Sequence, residues 1–185
     1  MSVTAIFSDM GDLDCQHLVN LWTGFPDAKV IHVHRTSKNI SKDVMKALLD
    51  EDDTLIMCGH GTPSGLLNPS MYEFGHIINE NNANFIHANR VVALWCYAKR
   101  FGKRMGLPGF WSDMFISNVG EAQMNGIRTN DSNMIAQGCI TYCKHVNKLL
   151  HDNVPLSEWK DILVSQEDMT NPVHKFNYDG LEFLG

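Results

Sequence analysis

Positive charge is what this chain lacks first: 15 Lys and Arg stand against 21 Asp and Glu, a formal net charge of -6 over 185 residues. With no global positive field to hold phosphate backbones or anionic head groups, neither nucleic acid nor a membrane surface is expected as a partner. No apolar run nears the roughly 18 residues that a bilayer-spanning helix needs. Residues 1–9 also lack a basic stretch ahead of an apolar one, so an unsecreted, cytoplasmic protein is expected. Cysteine is sparse and odd in number: Cys15, Cys58, Cys96, Cys139 and Cys143 show no repeated short spacing. That fits neither a disulfide framework nor a zinc ribbon, and Cys139 and Cys143, four apart, read as core neighbours on a helix. No metal site is assigned and no cofactor is expected. The phosphate-cradling Gly-rich loop, the dinucleotide fingerprint and the Gly-x-Ser-x-Gly elbow are all missing. A cysteine phosphatase is excluded as well, because Gly102 stands where its loop needs an arginine. There is no repeat and no Pro/Gly/Ser-rich linker, so residues 1–185 read as a single domain.

What the chain does have is alternation. Ala5 to Ser8, Lys29 to His34, Thr54 to Cys58 and Arg90 to Trp95 are short apolar or β-branched runs, with Met114 to Ser117 as a shorter fifth. Helical spacing separates them: Cys15, Leu18, Leu21 and Trp22; then Val44, Ala47 and Leu48 behind a capping Ser41; then Phe74, Ile77 and Ile78 behind Ser70 and Glu73. Ser132 to Leu150 carries the longest apolar stripe. Leu156 to Val164 reads as a short helix, and Val173 to Leu184 as a small strand or hairpin turning at Asp179-Gly180. Strands apolar on both faces and alternating with amphipathic helices predict a three-layer αβα sandwich around a mostly parallel sheet.

In such sheets function gathers beyond the carboxyl ends of the strands. There the sequence places Asp9, Asp12 and Asp14 after the first strand, Gly59-His60-Gly61 after the third and Cys96 after the fourth. A thiol attacks as thiolate, and an imidazole can take its proton, so Cys96 and His60 read as nucleophile and base. The amides of Gly61 and Cys96 would donate to a developing oxyanion. Lys99, Arg100, Lys103 and Arg104 would lower the thiol pKa if they fold over it. Asp9, Asp12 and Asp14 suit a cation, a basic substrate group or a plain turn. His32 and His34 read as structural.

The two strand ends, TLIMCGHG (Thr54 to Gly61) and RVVALWCYA (Arg90 to Ala98), resemble those of the caspase-like cysteine peptidases, a group that includes caspases, metacaspases, clostripain, gingipains, legumain, separase and the bacterial CHAT domains. The resemblance implies His60 as general base and acid, Cys96 as the acyl-forming nucleophile and the Gly61 amide in the oxyanion hole. It implies a protein or peptide substrate, and a dyad at the ends of strands three and four. Asp9, Leu94 and Trp95 are the candidate substrate contacts. Family members commonly carry a small residue just before the cysteine and, in several branches, Gln, Asp or Glu two before it; here these positions are Trp95 and Leu94. A catalytically silent caspase-like module that binds a protein or small ligand in the same cleft is the alternative expectation.

Overall fold

Chain segments buried on both faces dominate the centre of the molecule. In the computed structural model, which describes residues 2–50, 53–70 and 75–185, the chain runs through β1 (Val3–Ser8), β2 (Lys29–Val33), α1 (Ile40–Leu49) and β3 (Thr54–Gly59). Three short strands follow: β4 (Gly61–Thr62), β5 (Gly65–Leu67) and β6 (His76–Ile78). Next come β7 (Arg90–Leu94), α2 (Ala98–Met105), β8 (Gly109–Trp111), α3 (Val119–Met124) and α4 (Ser132–His151), and finally α5 (Trp159–Ser165), α6 (Pro172–Asp179) and β9 (Glu182–Leu184). The main sheet has the order β2-β1-β3-β7-β8-β9. Its first five strands are mutually parallel and β9 runs antiparallel to β8. Helices cover both faces, so the protein is an αβα sandwich.

Side-chain alternation along the strands builds the two layers. From β1, Ala5 and Phe7 pack with Cys58, Leu94, Tyr142 and Cys143 beneath α4, together with Leu18 and Leu21 of a 3-10 turn at Gln16–Leu21. Ile6 faces the other way, onto Val44 and Leu48 of α1 and onto Leu55, Met57 and Trp95. Each such side chain contributes about 1.5–3 kcal/mol on full burial. A satellite cluster of Ile116, Ala122, Ile135, Cys139 and Val173 joins α3, α4 and α6.

Several segments differ from the sequence expectation. The fifth parallel strand is β8, and Met114 to Ser117 is not a strand. Phe110 and Trp111 bury opposite faces in the sheet, whereas Ile116 is held by a side chain: its N–H donates to Asn177 Oδ1 at 2.7 Å and its carbonyl accepts from Nδ2 at 3.0 Å. Ile77 and Ile78 belong to β6, which pairs with β5; two adjacent isoleucines satisfy either period, and pairing with Leu66 and Leu67 decides. Glu73 and Phe74 of the expected helix lie outside the described residues. Asn39, left-handed at φ 58°, precedes α1, so Ser41 is inside its first turn and not its cap. The tail is a helix, α6, capped by Asn171 with Pro172 at its first position, before the strand β9.

Trp95 explains the glycine after His60. Its indole is buried against Phe101 and Trp111, with ring centroids 5.8 and 6.0 Å away. Trp95 Nε1–H donates to the Thr62 carbonyl at 3.2 Å. A Cβ on residue 61 would stand 2.0 Å from Trp95 Cδ1. Gly61→Ala should therefore destabilise the protein by about 1–3 kcal/mol through overpacking. Urea denaturation of a double-mutant cycle checks this: with Trp95→Leu in the background, the cost of Gly61→Ala should fall by roughly 1 kcal/mol or more.

Candidate active site

Strand register determines which loops meet. β3 and β7 pair in parallel with Cys58 opposite Leu94. His60 and Cys96 each lie two residues beyond that pair, just past the ends of strands spaced about 4.8 Å apart, and both line one cleft. On the other side of β3 lies β1, with Ser8 opposite Gly59. The loop leaving β1 delivers Asp12, Asp14 and Cys15. Because β2 sits on the far side of β1, the strand order reverses between β1 and β3, the place where parallel sheets open a crevice.

His60 is held by a carboxylate. Its Nε2 lies 2.8 Å from Asp12 Oδ2, with 27% of the His60 and 37% of the Asp12 side chain exposed. Since the carboxylate only accepts, Nε2 carries the hydrogen, and in the neutral ring Nδ1 keeps its lone pair. Asp12 is fixed in turn, its Oδ1 accepting from the Cys15 N–H at 3.2 Å.

Cys96 stands at a corner between β7 and α2, just before Tyr97, whose φ is 68°. Its Sγ lies 3.8 Å from the Phe115 carbonyl oxygen. Burial pushes its thiol up to about 11, and the carboxylates of Glu121 and Asp113 push the same way. The resting residue is thus a thiol. The basic run after it does not supply the expected counter-field. Lys99 pairs with Asp113 at 3.0 Å, Lys103 with Glu182 at 2.7 Å, and Arg100 lies 3.7 Å from Asp113. These contacts dock α2 on the β8–β9 edge and offset part of its positive charge there, while Arg104 lies over the Phe101 ring, 5.6 Å from its centroid.

The remaining candidates divide. Leu94 is buried and lines the cleft. Trp95 contributes to that wall, but its indole packs into the core layer beneath α2, not into an open subsite. Gly61 follows His60 at the start of β4, against that indole. Asp9 does not line the cleft. Its N–H donates to the Val33 carbonyl at 2.8 Å, and its carboxylate holds His32 Nε2 at 2.8 Å. Burial works against that carboxylate, yet the Gly11 N–H and His32 outweigh it and hold Asp9 below the usual range. This makes Asp9 a turn residue at the β2 side of the sheet.

Sequence reading missed the residues that complete the cleft. Sequence reading leaves Asp12 after β1 without a partner; the adjacency of β1 and β3 gives it His60, although Asp12 itself does not line the cavity. Cys15, His17, Phe115, Glu121 and Tyr142 also line the cavity, whose volume is about 40 Å³. That holds a few waters at most. Across the mouth, Asn118 Nδ2 donates to Asp14 Oδ2 at 2.5 Å, while Glu121 Oε2 accepts from the Ser117 N–H at 2.7 Å and its hydroxyl at 2.9 Å. No protein-family model and no curated protein matches the chain.

His17 gives the site a pH signature. Burial lowers its pKa to about 4, against a smaller opposing pull from Asp12. A depressed folded-state pKa contributes stability that is complete above the unfolded value near 6.5 and is lost as pH falls toward 4. Thermal melts of the wild type should therefore lose up to about 3 kcal/mol over that window from this residue. In His17→Gln the loss should be smaller by that amount.

Proposed function

We propose that this protein is a caspase-like cysteine endopeptidase in which Cys96 attacks a peptide carbonyl and His60 moves the proton. The carrying observation is that adjacent parallel strands deliver His60 and Cys96 to one cleft, with the imidazole held by Asp12 through Nε2. In this reading Asp12 is a positioning residue that keeps the Nδ1 lone pair available. The Cys96 S–H proton passes to His60 as sulfur bonds to the carbonyl carbon, and the amides of Gly61 and Cys96 collect the oxyanion. His60 then protonates the leaving amine, the C–N bond breaks, and water hydrolyses the thioester with His60 acting as base again. The substrate is a protein or peptide and the compartment the cytoplasm, where free cysteines such as these five stay reduced.

The raised thiol pKa shapes this mechanism. A resting thiol means that proton transfer to the imidazole accompanies attack, in contrast to a preformed thiolate–imidazolium pair. The cleft is also narrow, about 40 Å³, so binding a substrate side chain requires it to widen. The same two observations, a thiol pushed up to about 11 and a narrow cavity, favour the second reading, a silent module that binds a ligand there.

Alkylation of each cysteine by iodoacetamide, read by mass spectrometry alongside hydrolysis of a peptide library, separates the two. The endopeptidase reading expects Cys96 to react fastest of the five. Its lead should disappear in His60→Ala, and kcat/KM should drop about 10²–10⁴-fold. Cys96→Ala should remove all turnover, and Asp12→Asn should lower kcat more than it changes KM. Hydrolysis that survives Cys96→Ala overturns the endopeptidase. A Cys96 that reacts no faster than the buried cysteines, with or without His60, leaves the silent module.

A further inference from the structure

Side chains converge on His60 from the β1 side as well, and the peptidase chemistry uses only part of that set. One ligand atom each from Asp12, Cys15 and His60 lie within 4.8 Å of one another. The Cys15 thiol has no role in the reaction above. The backbone fixes the arrangement: the Cys15 N–H holds Asp12 Oδ1, which leaves Oδ2 directed at His60, 2.8 Å away. Parallel pairing of Ser8 with Gly59 keeps the two loops side by side.

We propose that Asp12, Cys15 and His60 form a zinc(II) site whose fourth position opens into the cleft. Thiolate, imidazole and carboxylate are the donors zinc takes, whereas magnesium and calcium prefer all-oxygen shells. Zinc bonds of about 2.0–2.3 Å set ligand atoms roughly 3.3–3.7 Å apart in a tetrahedron. The present separations, from 2.8 Å to an upper bound of 4.8 Å, bracket that range. A small rotation of the half-buried His60 ring and a slight contraction toward Cys15 complete the geometry. The cavity of about 40 Å³, lined by Cys15 and His60, has room for a zinc-bound water. Asp14 and Glu121 in the same wall add negative charge that favours a dication.

Binding is balanced without a redox partner. The Cys15 thiol gives one proton to solvent and its sulfur bonds the metal. The proton on His60 Nε2 moves to Nδ1, so the ring stays neutral while Nε2 takes the ion. That tautomer change has a consequence which rests on the peptidase reading: Nδ1 becomes a donor, and His60 can no longer accept the Cys96 proton. A filled site therefore silences the enzyme.

The test is titration of the metal-free protein with cobalt(II) and zinc(II), followed by absorption and by calorimetry in buffers of different ionisation enthalpy. One equivalent should bind, with a thiolate-to-cobalt charge-transfer band in the near ultraviolet and release of about one proton. Cys15→Ser should abolish the band and weaken zinc at least tenfold, while Cys96→Ala keeps both band and affinity. Asp12→Asn retains the Oδ1 acceptor for the Cys15 N–H, so it serves as a second variant if Cys15→Ser misfolds by circular dichroism; it too should weaken zinc at least tenfold. Absence of the band, wild-type affinity in Cys15→Ser or Asp12→Asn, or loss of binding in Cys96→Ala each overturns the site. Alkylation of Cys96 reads the consequence separately. Stoichiometric zinc that binds through Cys15 yet leaves Cys96 reactivity unchanged upholds the metal site and counts against the dyad.

Discussion

The contact between Trp95 and Gly61 is the constraint on which the cleft depends. Trp95 immediately precedes Cys96 and Gly61 immediately follows His60, so the packing of one on the other fixes the two strand ends at the positions where Cys96 and His60 leave the sheet. The indole points to the α2 face while Leu94 points to the α4 face. Cys96 turns with Leu94, away from the aromatic cluster and into the cleft. A second close approach reinforces this: at Gly59, φ is 137° and a Cβ would stand 2.4 Å from the Ser8 carbonyl oxygen, so β1 and β3 can stay paired to the last residue before the loop. The bulk of Trp95 is thus matched by a local accommodation at Gly61, and it acts on the framework of the cleft.

Electrostatics in the cleft favour a resting state without charge separation. Carboxylates surround both thiols: Glu121 and Asp113 act on Cys96, Asp12 and Asp14 on Cys15, and burial raises both thiol pKa values before any of these charges is counted. The cations that follow Cys96 in sequence are engaged with Asp113 and Glu182 at the far edge of the sheet. A positive centre entering the cleft, whether a metal or the proton on His60, meets a negative wall. In the proposed chemistry the imidazole is the point where proton transfer and cation binding compete.

Much of the fold was legible because its strands are buried on both faces. Such strands read as continuous apolar runs, and the stripe from Ile135 to Leu150 is long enough to leave α4 in no doubt. Short elements were not legible. β8 is three residues long inside a stretch rich in glycine and basic residues, and Ile77 with Ile78 satisfies helix and strand periods alike. Asn171-Pro172 is a readable helix start that the apolar tail outweighed. At the site, His60 and Cys96 were visible as strand-end residues. The bond from Asp12 to His60 was not, because it depends on β1 and β3 being neighbours, and sequence separation of 48 residues carries no trace of it. Nor could sequence show that Lys99, Arg100 and Lys103 of α2 are engaged, since their partners in β9 and after β8 become close only on folding.

The proposed dyad requires that Asp12 hold the hydrogen on His60 Nε2 and leave Nδ1 unprotonated. Long-range proton–nitrogen correlation NMR on protein labelled with nitrogen-15 at histidine reads that tautomer directly. The account expects His60 to show a protonated Nε2 and an unprotonated Nδ1 at neutral pH in metal-free protein, with the Nδ1 resonance shifting when Cys96 is alkylated. A hydrogen on Nδ1, or an Nδ1 resonance indifferent to modification of Cys96, would contradict it.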